Sequence, residues 1–171
     1  MKLYHYVARP NNAQKEGILS FAESPNVDLN YYVKRSGAQT RMGIIKWMEK
    51  CFKGRSRGIR LLIEPLQYTE RTPRIKEFIE SADLFEVDVS AMDKDGLIEA
   101  VYVSPSVLEK EPENKNDEAL FKVAGLSEID LTPNDYNILD DAKGWRFAFM
   151  RYYLFVVKDG IIPPKYIRLI Q

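Results

Sequence analysis

The sequence predicts one α+β domain over residues 1–171, with a split, largely antiparallel sheet and helices packed on it. Two extended runs, Leu84 to Val89 and Leu97 to Val103, are joined by a stretch holding Asp93-Lys94-Asp95-Gly96. A stripe of Ile44, Ile45, Met48, Cys51 and Phe52 has the three-and-four spacing of a helix with one buried face. Repeats, low-complexity segments and linkers are absent, and 171 residues fit one core.

In chain order, Lys2 to Val7 alternates as a half-buried strand does, with Leu3, His5 and Val7 on one face and Tyr4 and Tyr6 on the other. Asn11 or Asn12 is placed to cap a short helix that Gly17 ends. Ser24-Pro25 reads as a helix start, with the helix reaching about Arg35 and carrying Val27, Tyr31 and Arg35 on one stripe beside Tyr32. The next helix runs from Thr40 to about Lys53, before Gly54. Residues 58–63 are expected as a strand or a helix end stopped by Pro65, and Thr72-Pro73 opens a helix to Ser81. In the run 84–89, Phe85, Val87 and Val89 share a face opposite Glu86 and Asp88. Charged residues 109–117 read as a loop, with helices expected over 117–123 and 132–141. Trp145 to Val157 reads as a buried strand with a lead-in, and after Asp159-Gly160 the stretch 161–170 closes the chain.

The composition, 45% hydrophobic and 29% charged, is that of an ordinary soluble protein, and no stretch is apolar for long enough to span a bilayer. A cytoplasmic protein without membrane contact is expected. One cysteine and one histidine exclude an internal disulfide and a thiolate-imidazole zinc cage. A phosphate loop, a paired-glycine fingerprint, a nucleophile elbow and a metal-binding histidine pair are all missing, so acid chemistry must rest on carboxylates. The formal charge of zero hides two blocks. Residues 34–60 hold nine cations against Glu49 alone, while 109–141 are acidic. Such a basic block either neutralises its acidic counterpart or forms a face that binds an acidic protein or nucleic acid.

Leu3-Tyr4-His5-Tyr6, then Gly17-Ile18-Leu19-Ser20, then Phe21 to Pro25 leading to Tyr31-Tyr32, resemble the opening of ADP-ribosyltransferase-fold proteins of the histidine-tyrosine-glutamate type. Phe85 to Val89 and Ile162 to Ile167 are similar to a middle and a last strand of that family. The resemblance covers about a third of the chain. It implies a domain that binds NAD as substrate and transfers ADP-ribose to a protein or nucleic-acid acceptor. His5 would bond the nicotinamide-side ribose, Ser20 would help hold it, and Tyr31 or Tyr32 would pack on the nicotinamide. A later glutamate would steady the sugar cation, as carboxylates do in glycoside hydrolysis. The strand before Ile162 carries no acid, which leaves two assignments: Glu99 supplies the carboxylate, or the domain binds NAD without the usual chemistry. Each residue also has a structural reading, with His5 a satisfied strand histidine, Tyr31 and Tyr32 packing residues and Glu99 a solvent-facing alternation.

Overall fold

A computed structural model describes residues 2–25, 27, 29–51, 53–62, 64–66, 73–103, 123–124 and 153–171. The expected loop at 109–117, the helix at 132–141 and the lead-in from Trp145 lie outside these residues, as does the expected helix at 117–123 up to its last residue.

The described strands are β1 (Lys2–Ala8), β2 (Ile18–Leu19), β3 (Gly58–Leu61), β4 (Ala82–Asp88), β5 (Ile98–Val103), β6 (Val123–Ala124), β7 (Tyr153–Val157), β8 (Ile161–Ile162) and β9 (Ile167–Leu169). All their pairings are antiparallel, and they fall into sheets of order β1-β4-β9, β2-β8 and β3-β7-β5-β6. The helices are α1 (Ala13–Glu16), α2 (Asn30–Ser36), α3 (Arg41–Cys51), α4 (Pro73–Glu80) and α5 (Val89–Lys94). The expected α+β class with a split antiparallel sheet is what the structure has.

The central strand of each larger sheet carries the core. In β4, Phe85 and Val87 are fully buried with Val89 just beyond, while Glu86 and Asp88 keep solvent contact. β7 is buried at every position, which is why it reads as an uninterrupted apolar run instead of an alternation. Phe85 and Phe155 are the largest fully buried side chains, and with Leu3, Leu61, Met92, Val101 and Ile162 they belong to one cluster. A smaller cluster of Phe21, Ile44 and Met48 seats α3, with Tyr32 packed against it.

Three expectations are corrected. The helix after Ser24-Pro25 begins only at Asn30, and Ser20, not Ser24, anchors the preceding turn by accepting the Ser24 amide at 2.8 Å. The stretch after β4 is a helix, because the Asp88 carboxylate accepts the Ala91 amide at 3.0 Å and so caps α5. Val123 stands in a strand paired with Tyr102.

Candidate functional site

Among the described residues the sheets that contain β1 and β3 meet at a single bridge, where Tyr4 and Leu62 exchange backbone bonds of 2.9 and 2.8 Å and ladder pairing goes no further. Continued pairing would next present the Arg60 carbonyl to the Tyr6 amide. Instead His5 Nδ1 lies 2.7 Å from that carbonyl. A carbonyl only accepts, so Nδ1 carries the proton and Nε2 of the neutral ring is an acceptor. The residue is partly buried. Desolvation lowers its pKa from 6.5 to about 4, opposed by the Arg60 carbonyl bond and aided by the Arg60 charge. His5 is thus a neutral imidazole that fills a broken ladder where two sheets part.

The second constellation lies where three loops meet. Ser20, which follows β2, donates its amide to the Gly160 carbonyl at 2.8 Å, and Ala22 donates to the Ser56 carbonyl at 2.9 Å. Ser56 is gripped by Glu49, which takes its hydroxyl at 2.5 Å and also the Gly54 amide at 2.7 Å. Burial would raise the Glu49 pKa, but the Ser56 hydroxyl and the Gly54 and Ser56 amides outweigh this and hold it below the usual range. The turn so fixed presents Arg57, whose Nη1 lies 2.7 Å from Glu99 Oε2. Glu99 sits where the β5–β7 register shifts between Ile98 and Ala100; bulges of this kind re-aim side chains and are common beside active sites.

Ser20 is 2% exposed, and its Oγ has no hydrogen-bond partner among the described residues. Gly160, at φ +69°, makes room for it: a Cβ there would stand 2.5 Å from Ser20 Oγ, 3.1 Å from Glu23 Cγ and 3.4 Å from Arg57 Cγ. Gly160→Ala is therefore expected to cost about 1–3 kcal/mol, from strained left-handed backbone and the clash with Ser20, as read by chemical denaturation. An unchanged midpoint would show that the loop adapts without strain.

The sequence-selected residues therefore separate. Ser20 and Arg57 both border Gly160, and Arg57, which in the sequence stands only as part of the basic block, reaches on to Glu99. His5, on β1, stands apart from them, bonded to the Arg60 carbonyl of β3, and no described contact links it to Glu99. Tyr32 packs edge-on against Phe21 at 4.7 Å between ring centres, and the side chain of Tyr31 is outside the described ones. Arg41 holds the Phe21 and Ala22 carbonyls at 2.7 and 2.9 Å, which ties α3 to the Ser20 turn. Groups of three or more metal-ligating side chains are absent among the described residues, and no described helix is long and apolar enough to cross a membrane.

Compared with known proteins, the chain matches no family, no curated protein and no solved structure.

Proposed function

We propose that the chain is an ADP-ribosyltransferase-like domain that binds NAD at the Ser20–Arg57–Glu99 cluster, with transfer of ADP-ribose to a macromolecular acceptor as its reaction. The buried Ser20 hydroxyl without a partner carries this reading. A buried unsatisfied hydroxyl costs about 1–3 kcal/mol, and a ligand hydroxyl reaching it would remove that cost. Arg57 supplies a cation for the diphosphate. It is held by Glu99 across a pair whose side chains are 30% and 42% exposed, and such pairs contribute at most about 1 kcal/mol. An anionic ligand therefore meets little resistance in drawing Arg57 away and leaving the Glu99 carboxylate open. In the reaction, the glycosidic bond pair leaves with nicotinamide, Glu99 steadies the sugar cation, and an acceptor nucleophile closes on the anomeric carbon. His5, with Nε2 as an acceptor, suits a ribose hydroxyl at the margin of the site.

Ser20→Ala tests the assignment. Folding stability, measured by denaturant titration, is expected to stay the same or rise by about 1 kcal/mol, since an unpaired buried hydroxyl is removed. NAD affinity, measured by calorimetry, is expected to fall at least tenfold. A loss of stability with unchanged affinity would make Ser20 a structural residue and overturn its role.

A further inference from the structure

Resting on the NAD site proposed above, we infer that Glu23 joins Ser20 in holding the hydroxyl pair of the ribose that carries the nicotinamide. The two residues stand three apart in one turn, in which the Ser20 carbonyl accepts the Glu23 amide at 3.2 Å and the Ser24 amide at 2.8 Å. In a turn of this helical pitch, side chains three residues apart are neighbours. Gly160 marks the spot that both border: a Cβ there would stand 2.5 Å from Ser20 Oγ and 3.1 Å from Glu23 Cγ. The turn is fixed from outside. Arg41 holds the Phe21 and Ala22 carbonyls, and the Ser20 and Ala22 amides are bonded to Gly160 and Ser56.

The buried Ser20 hydroxyl has no partner among the described residues, and the exposed Glu23 carboxylate has none among them either. An ionised carboxylate only accepts, and its two oxygens can take the protons of two neighbouring hydroxyls. A ligand hydroxyl that donates to Glu23 keeps lone pairs for the Ser20 hydroxyl, so one ligand oxygen satisfies both residues. A phosphate has the same sign of charge as Glu23 and is kept from this corner, which leaves the diphosphate to Arg57. A sugar diol is the part of NAD that suits a buried hydroxyl beside a carboxylate. As positive charge grows on the sugar its hydroxyls become better donors, and hydrogen bonds to the 2-hydroxyl strengthen in the transition state of glycoside cleavage.

Calorimetry of the full chain tests this with two ligands, NAD and an analogue that lacks both hydroxyls of the nicotinamide-side ribose, on the wild type and on Glu23→Gln. The wild type is expected to bind the analogue about 10- to 100-fold more weakly than NAD, the worth of a hydrogen bond to a charged group. Glu23→Gln is expected to melt as the wild type does and to lose about tenfold for NAD. For the analogue its affinity should match that of the wild type, because the bond that the substitution weakens is one the analogue does not make. Equal losses for both ligands in Glu23→Gln, or no loss for NAD, would overturn the Glu23 assignment and leave NAD binding at Ser20 standing. No binding of NAD by the folded wild type would overturn both.

Discussion

Lowering the pH from 6.5 is expected to remove about 2 kcal/mol of folding stability by pH 5, and about 3 kcal/mol once pH 4 is passed, through His5 alone. The folded pKa of about 4 lies below the ordinary 6.5, so between these values the unfolded chain binds the proton and the folded chain resists it. The stabilisation is fully present above 6.5, falls with pH through the window and levels off below 4. His5 is the single histidine, so the upper part of the window is almost free of other titrating side chains. Denaturant titrations at a series of pH values, on the wild type and His5→Ala, check this. The variant should be less stable at pH 7 by about 1–3 kcal/mol, because the Arg60 carbonyl loses its donor, and should be flat between pH 5 and 6.5. A wild-type profile already flat over that range would mean that the ring is not held neutral.

Glu99→Gln is expected to leave the fold intact and to slow nicotinamide release from NAD by about 10²- to 10³-fold. The substitution keeps the shape and one hydrogen-bonding oxygen toward Arg57 while removing the charge that a sugar cation requires. Because the Arg57–Glu99 pair is surface-exposed, its loss moves the melting temperature little. Chromatographic assay of free nicotinamide over hours separates the outcomes. Unchanged release in the variant would remove Glu99 from the chemistry and leave it as the partner of Arg57.

The fold was legible where one interaction dominates. Ile44 and Met48 are buried on α3 as their spacing requires, and Phe85, Val87 and Val89 share the core that their alternation implies. The α5 helix was missed because apolar spacing is too sparse over six residues, although Asp88 offered a cap signal. The site was legible in part. His5 stood out as the single histidine on a half-buried strand and Ser20 only through the resemblance, and the surroundings of both depend on long-range placement. Nothing local in Arg57 announces that it meets Glu99 across β7, and nothing in His5 announces the Arg60 carbonyl, because in both contacts the partners lie far apart in sequence. For Tyr32 the ring platform came only with the resemblance, while a tyrosine on a helix is more often a packing residue, and its contact with Phe21 gives it the packing role in this structure.

The decisive measurement is saturation-transfer NMR of NAD against the wild-type chain, with Ser20→Ala as control. Transfer to the ribose and nicotinamide protons of NAD at millimolar concentration or below, lost in Ser20→Ala while that variant remains folded, is the expected result. No transfer to NAD from the folded wild-type protein would contradict NAD binding at the Ser20–Arg57–Glu99 cluster.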